Sequence, residues 1–124
     1  MILCDTNILI EFYKDNEDVS NVLRAIGLPD LAVSVITVGE LYFGARDKRE
    51  LLKMKKHLAG LHQIPVDVEI SGRYLSLLES YALSHRLSVP DSLIAATALR
   101  HNLKLYTLNL KDFRYIEGLT LFAP

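Results

Sequence analysis

The chain has 124 residues, of which 50% are hydrophobic and 23% charged, and this composition excludes a disordered tail and a coiled-coil rod. Fourteen Lys and Arg against fifteen Asp and Glu give a formal net charge of −1, so the overall charge would not by itself attract the chain to phosphates. The single cysteine excludes an internal disulfide, and no apolar run approaches the roughly 18 residues of a membrane span. The first residues also lack the basic and long apolar regions of a signal peptide, so we expect one domain over residues 1–124, in the cytoplasm.

The first part of the chain shows short strands that pass directly into helices. Residues 2–4 are apolar and predict a strand, and the capping residue types at 5–7 predict that a helix starts immediately after it. A second helix is expected over about residues 19–26. The β-branched, apolar residues 31–35 predict a second strand, and a helical stretch begins at Thr37.

The middle of the chain is mainly helical. Apolar residues at helical spacing continue after Thr37, with a break near Asp47. Residues 64–66 form a brief extended segment, and the longest helix is expected from Asp67 to about His85. Pro90 then opens a further helix that ends near Asn102, because proline fits the first turn of a helix.

Two strands close the pattern, one over residues 103–107 and a last short one over residues 119–122. Short apolar strands that alternate with helices predict a three-layer α/β/α domain with a mostly parallel central sheet. In such a sheet, ligands bind beyond the carboxyl ends of the strands.

Polar residues with oxygen atoms are predicted to gather at that edge. Asp5 ends the first strand, Glu40 lies early in the helix after the second, and Asp91 opens the helix before the strand at 103–107. Asn109 and Asp112 follow that strand. Several carboxylates at one edge repel each other unless a cation lies among them, and oxygen-only ligands favour Mg²⁺ or Mn²⁺ over zinc.

Each acidic residue also has a purely structural explanation. Asp5 is a good helix cap, Thr37-x-x-Glu40 fits the capping-box pattern, and Asp91 complements a helix dipole. Capping does not require the three residues to share one edge of the sheet, however, so the joint arrangement favours a cation site.

Four segments of the chain carry a resemblance to a known family. These segments are Asp5 to Ile10, Ser34 to Gly44, Pro90 to Ala96 and Thr107 to Phe113. In this order and at this spacing they resemble the PIN domain, most nearly the VapC-type toxins of bacterial and archaeal toxin–antitoxin pairs. The resemblance spans the whole chain. It implies a Mg²⁺-dependent endoribonuclease (with Mn²⁺ as a substitute), neutralised by a small antitoxin protein and paired as a homodimer.

The resemblance also assigns roles to individual residues. Asp5, Glu40 and Asp91 match three acidic metal ligands of the family. The fourth position, commonly acidic, is Asn109 here, which leaves a second metal ion in question. Asp112 is then expected to supply the missing charge, either directly or through water.

Two hydroxyls and a basic cluster complete the candidate residues. Thr6 and Thr107 match positions where the family often has hydroxyls near the metal, although either also fits an ordinary turn hydroxyl. Six basic residues lie between positions 46 and 56, and Arg46, Lys48 and Arg49 among them are candidate contacts to the RNA backbone. The alternative explanation of this cluster is a solvated helix surface.

Two other functions stay open. Asn109 is compatible with a catalytically weak PIN-like module that serves as the binding half of a DNA-bound antitoxin–repressor complex. A phosphoaspartyl enzyme with Asp5 as nucleophile is less consistent, because the sequence lacks a D-x-D pattern and a clear lysine partner.

Overall fold

The structure, a computed structural model, describes residues 1–124. The strands are β1 (Ile2–Cys4), β2 (Leu31–Ser34), β3 (His62–Ile64) and β4 (Lys104–Tyr106). The helices are α1 (Thr6–Tyr13), α2 (Glu17–Ile26), α3 (Val35–Phe43), α4 (Lys48–Leu58), α5 (Val68–His85) and α6 (Val89–His101). Two short 3₁₀ turns span Leu28–Asp30 and Leu110–Asp112. None of the helices combines the length and the apolar character that a bilayer crossing requires.

The four strands form one sheet in the order β3-β2-β1-β4. All neighbouring strands are parallel, so the sheet is wholly rather than mostly parallel. Cys4 of β1 pairs with Tyr106 of β4, and both strands end at this register. The residues that follow, Asp5 and Thr107, therefore leave the sheet side by side.

Helices cover both faces of the sheet, which confirms the predicted three layers. Successive residues of a strand point to opposite faces. Cys4 of β1 is fully buried in the core cluster that includes residues of α1 to α4, whereas its neighbour Leu3 is buried in the cluster that includes α6. The long helix α5 packs against α6 and contributes Leu77 and Leu78 to this second cluster.

Side-chain caps define where the later helices begin. Asp47 accepts a hydrogen bond from the Glu50 N–H at the start of α4, in agreement with the predicted break. Asp67 caps α5 in the same way. Helix α6 ends at Asn102 in the left-handed conformation, as predicted from its residue type.

Three predictions at element ends are wrong in detail. Strand β3 begins two residues before the extended segment expected at 64–66. Helix α3 begins at Val35, two residues before Thr37, because the Ser34 hydroxyl accepts the Ile36 N–H and caps the helix first. Thr37 is fully buried inside α3, so the capping-box explanation of Thr37 and Glu40 does not hold. The strand expected over residues 119–122 is reduced to one bridge between Leu105 and Leu121, because only Leu105 exchanges backbone hydrogen bonds with this segment, through Thr120 and Phe122.

Candidate active site

The ends of β1 and β4 bring Asp5 and Thr107 into direct contact. The Asp5 N–H donates to the Tyr106 carbonyl at 2.9 Å, which extends the strand pairing by one residue. The Thr107 hydroxyl donates to Asp5 Oδ2 at 2.7 Å, and the Thr6 N–H donates to Asp5 Oδ1 at 2.8 Å. Both carboxylate oxygens of Asp5 thus have a neutral donor, and this side chain is held in one orientation.

The Thr107 hydroxyl is saturated with hydrogen bonds. Besides donating to Asp5, it accepts from the Asn109 N–H at 3.1 Å and from Asn7 Nδ2 at 3.4 Å. A hydroxyl has one proton and two lone pairs, so all three are used. Asn7 Oδ1 also accepts the Leu108 N–H at 3.3 Å, and this amide connects the start of α1 to the segment after β4.

A second group of contacts positions Glu40. The Thr6 hydroxyl lies 2.7 Å from Glu40 Oε1 and 3.0 Å from the Thr37 hydroxyl. Because a carboxylate only accepts, the single Thr6 proton goes to Glu40, and the Thr37 hydroxyl then donates to Thr6. Thr37 and Glu40 lie three residues apart on one face of α3, so the buried threonine supports the exposed glutamate through Thr6.

Asp91 reaches the same edge from the first turn of α6. The Ser88 hydroxyl caps this helix by accepting the Asp91 N–H at 3.2 Å. Burial and the charges of Asp5, Asp112 and Glu40 raise the pKa of the Asp91 carboxyl to about 6. The charges of three acidic residues from other parts of the chain therefore act on Asp91.

The pKa of Asp5 is raised as well, mainly because burial leaves this side chain only 5% exposed. The hydrogen bonds from Thr107 and Thr6 oppose the rise, and the charges of Glu40 and Asp112 add to it. The Asp5 carboxylate is therefore stabilised by its donors and destabilised by its acidic neighbours.

The donor chemistry of this group fits a hard divalent cation. The four side chains offer only carboxylate oxygens, and acidic neighbours make the charges of Asp5 and Asp91 more costly, which a cation would reverse. As the side chains are oriented, however, no three carboxylate, histidine or cysteine groups lie close enough to hold one ion together. Asp5 and Glu40 are each turned toward Thr6, so ligation by all of them requires side-chain rotation.

The two candidates for the fourth position differ in their relation to the group. Asp112, an exposed residue of the second 3₁₀ turn, acts on both Asp5 and Asp91. Asn109 contributes its backbone N–H to Thr107, while its side chain makes no hydrogen bond to the acidic residues. The structure thus brings Asp112 into the electrostatic group and places Asn109 at its border.

Of the basic candidates, Arg46 lines a groove beside Glu40. This groove encloses about 420 Å³ and is lined in part by Lys14, Glu40 and Arg46. Arg46 is already paired with Glu50, through an Nη2–Oε2 distance of 2.8 Å. Lys48 and Arg49 are exposed and form no ion pair, so their charges are free for a polyanion.

Two residues of this network were missed as site residues in the sequence. The residue type of Asn7 indicates only a cap, although it follows Asp5 by two positions and reaches Thr107. The residue type of Thr37 also indicates a cap, although its spacing from Glu40 predicts a shared helix face. Neither residue contacts a carboxylate directly. Asn7 donates to Thr107, which donates to Asp5, and Thr37 contacts Thr6, which donates to Glu40. Their direct partners lie 100 and 31 positions away in the chain.

Comparison with known proteins gives concordant matches. The family profile described as the PIN domain matches residues 2–119. A curated relative, ribonuclease VapC10 of Mycobacterium tuberculosis, is 33% identical over 123 residues, which covers 96% of this chain and 90% of that protein.

Solved structures agree with this result. A toxin–antitoxin complex from Klebsiella pneumoniae contains a chain that is 32% identical with a TM-score of 0.83, over 97% of this chain and 96% of that one. VapBC2 from Rickettsia felis, bound to a DNA fragment from its promoter, matches with 28% identity and a TM-score of 0.82 over 98% of both chains.

Proposed function

Because this chain belongs to the PIN domain family and is a homologue of the VapC ribonucleases, we propose that Asp5, Glu40 and Asp91 form the catalytic centre of an endoribonuclease. The reaction is hydrolysis of RNA phosphodiester bonds with Mg²⁺, for which Mn²⁺ substitutes. The protein acts as the toxin of a type II toxin–antitoxin system. The observation that carries this proposal is that Asp5, Glu40, Asp91 and Asp112 meet at one edge of the sheet, where acidic charges act on Asp5 and on Asp91.

The chain's own residues prepare this edge for the ion and for water. Asp5, Glu40 and Asp91 would hold Mg²⁺, with Asp112 completing the charge directly or through water and Asn109 as a neutral oxygen ligand. The bound ion supplies charge neutralisation on the phosphate and a lower pKa for its water. Thr107 and Thr6 donate to the carboxylates of Asp5 and Glu40, and these side chains would rotate to hold the ion together with Asp91.

Asp91 is suited to hold a cation. Burial and three acidic neighbours make its ionised form costly, and a bound cation would relieve this cost. Its position in the first turn of α6 holds it at the edge where the phosphate would lie. We therefore assign Asp91 the role of metal ligand, and one carboxylate of the site would accept the proton of the attacking water.

The RNA backbone is proposed to pass from the carboxylates toward α4. Lys48 and Arg49 are exposed and unpaired there, and Arg46 becomes available when its ion pair with Glu50 opens. The same groove beside Glu40 suits a cognate antitoxin, since it combines Lys14, Arg46 and apolar walls next to the candidate active site. An antitoxin segment in the groove would block the approach of RNA.

The proposal also covers the number of domains, the oligomeric state and the cellular location. Residues 1–124 act as one domain, and two copies pair as a homodimer in the cytoplasm, where the RNA substrate is found. Gel filtration combined with light scattering measures this pairing.

The proposal is tested by incubating the purified chain with a panel of structured RNAs. We expect cleavage with Mg²⁺ and with Mn²⁺, and none with a chelator. The Asp5→Asn variant tests whether the cleavage belongs to this site and not to a contaminating nuclease. Uncut RNA under all conditions, with a correctly folded protein, would reject the nuclease assignment.

A second candidate function is the catalytically weak binding module of a repressor complex. The promoter-bound VapBC2 structure favours it as a related assembly on DNA, and Asn109 in place of an acidic residue is compatible with weak cleavage. Under this alternative, Asp5→Asn leaves DNA binding with the antitoxin unchanged, and the parent protein cuts no RNA.

A further inference from the structure

An aromatic cluster lies at the carboxyl end of α5, outside the group of carboxylates. Tyr81 and His85 are four residues apart on this helix and so share one face. Tyr115 joins them from the segment after the second 3₁₀ turn. Its ring stacks on His85 with a centroid distance of 4.0 Å and an interplanar angle of 14°, and it meets Tyr81 edge-on at 5.1 Å.

Hydrogen bonds fix the orientation of these rings. The Glu117 N–H donates to the Tyr81 hydroxyl at 3.2 Å, and the Ser84 hydroxyl lies 2.7 Å from His85 Nδ1. Tyr81 and Tyr115 pack on the core beneath α5 and α6. His85 is exposed and covers the tyrosines from outside, so one face of its imidazole rests on Tyr115 and the other faces solvent.

The cluster is adjacent to the candidate active site. Helix α5 ends at His85, and α6 begins at Val89, two residues before Asp91. Tyr115 follows Asp112 by three residues. Burial and then the charges of Asp91 and Asp112 raise the pKa of the Tyr115 hydroxyl, which means that both carboxylates are within electrostatic reach of this ring.

A second histidine cluster, on the other face of the sheet, is less exposed. There His57 stacks on Phe12 at 4.9 Å, and the Tyr13 hydroxyl lies 2.8 Å from His57 Nδ1. Tyr13 also packs edge-on against His57, at an angle of 83°. His57 is therefore partly exposed and packs between two rings, whereas His85 is exposed at the end of its stack.

We propose that the stack of Tyr115 and His85 is a platform for one unpaired nucleobase of the RNA, next to the bond that is cut. The inference rests on the proposed nuclease function and adds a preference in substrate: single-stranded RNA with a stacking base at this position. Stacking accepts every base, since each has a π face, and the larger purine rings gain more contact. Bases of a duplex are already stacked and cannot reach the platform.

The test measures RNA binding in the Asp5→Asn background, in which the RNA stays intact. The probes are fluorescein-labelled single-stranded oligoadenylate and an RNA duplex without unpaired bases, followed by fluorescence anisotropy. His85→Ala is expected to weaken oligoadenylate binding about tenfold and to leave duplex binding unchanged. His85→Phe keeps a flat ring on Tyr115 and is expected to restore the affinity.

His101→Ala is the matched control. His101 is also an exposed histidine at the last residue of a helix, but it lies at the opposite end of α6 from Asp91. We expect its affinity for oligoadenylate to stay within about twofold of the parent, because no base stacks there. Equal melting temperatures and equal gel-filtration profiles show that the variants differ only in the ring.

The outcomes separate the platform from the nuclease itself. If the parent chain cuts RNA and His85→Ala binds oligoadenylate as well as His101→Ala does, the platform is rejected and the nuclease assignment stands. Loss of affinity with a changed gel-filtration profile also rejects the platform, since His85 then serves an interface between chains. If the parent chain neither binds nor cuts RNA, both proposals fail.

Discussion

Asp5 and Asp91 are the same residue type at the same edge of the sheet, but their surroundings differ. Asp5 is almost fully buried, and both of its oxygens accept hydrogen bonds from neutral donors. Asp91 is only half-buried, and its pKa of about 6 reflects burial and three acidic neighbours, with the Ser88 hydroxyl as a minor opposing contact. The protein thus fixes the position of one carboxylate and leaves the charge of the other largely uncompensated. A ligand that neutralises this edge would act most strongly on Asp91.

Removing the charge of the fixed carboxylate is expected to have the largest effect. In Asp5→Asn the remaining oxygen still accepts the Thr6 N–H, and asparagine is as good a helix cap as aspartate. The amide nitrogen, however, replaces the oxygen that accepts from the Thr107 hydroxyl, so we expect the free energy of unfolding to fall by about 1 kcal/mol. RNA cleavage should fall by about a hundredfold or more, because a metal ligand loses its charge.

Melting curves and cleavage rates are measured on the same Asp5→Asn sample. A variant that cuts RNA at the parental rate would show that Asp5 is only a helix cap.

The second prediction concerns Asp91 and separates activity from stability. Asp91→Asn should also lose cleavage, yet it removes a charge that the folded protein accommodates poorly. In the absence of divalent ions we expect the variant to be more stable than the parent at pH 7.5, by about 1 kcal/mol once solvent screening of this half-buried group is included. Urea unfolding in a chelating buffer measures the difference.

The pH dependence of that difference follows from the pKa of Asp91. It is about 6 in the folded protein against 3.8 for an ordinary aspartate, so between these values the folded state binds more protons than the unfolded state. The parent is therefore expected to lose stability relative to Asp91→Asn as the pH rises from about 4 through about 6. A difference that stays constant over this range would contradict the assigned pKa.

The third prediction removes the hydroxyl that donates to Asp5, so that the charge of Asp5, like that of Asp91, is less compensated. Thr107→Val deletes the hydroxyl that donates to Asp5 and accepts from Asn7 and the Asn109 N–H. We expect a loss of about 1–2 kcal/mol in unfolding free energy and a further rise in the pKa of Asp5, so that the acidic limb of the pH–rate profile moves to higher pH. Thr107→Ser keeps the hydroxyl and should retain the parental profile.

The smallest expected effect concerns the fourth position of the site. Asn109→Asp adds a negative charge at the border of the group and should tighten Mn²⁺ binding about several-fold, measured by calorimetry. Asp112→Asn should weaken it, because this carboxylate acts on both Asp5 and Asp91. An unchanged titration for Asn109→Asp would exclude Asn109 from the site.

The fold and the edge that carries the carboxylates could be predicted from the sequence because their signals are local. Strand ends at Cys4 and Tyr106 are visible as short apolar runs, and parallel pairing then places Asp5 beside Thr107. The start of α3 was misplaced because Ser34 and Thr37 are both capping types, and only the contact of Ser34 with the Ile36 N–H decides between them.

The hydrogen-bonded support of the site could not be predicted. The contacts of Thr6 with Glu40 and of Asn7 with Thr107 join residues 34 and 100 positions apart. No periodicity encodes such pairs, because they depend on the rotamers of side chains from different elements. The same holds for the His85 and Tyr115 stack, whose members look in the sequence like an isolated histidine and an isolated tyrosine.

Because Cys4 is buried, the rate at which this thiol reacts with a labelling reagent can report how often the sheet opens. Burial and the charge of Asp5 raise the pKa of Cys4 to about 12, so the group stays a protonated, unreactive thiol in the folded protein. A maleimide can label it only when β1 separates from its neighbours. The labelling rate therefore reports how often this central strand opens, and with it how long the Asp5 carboxylate stays in place between openings.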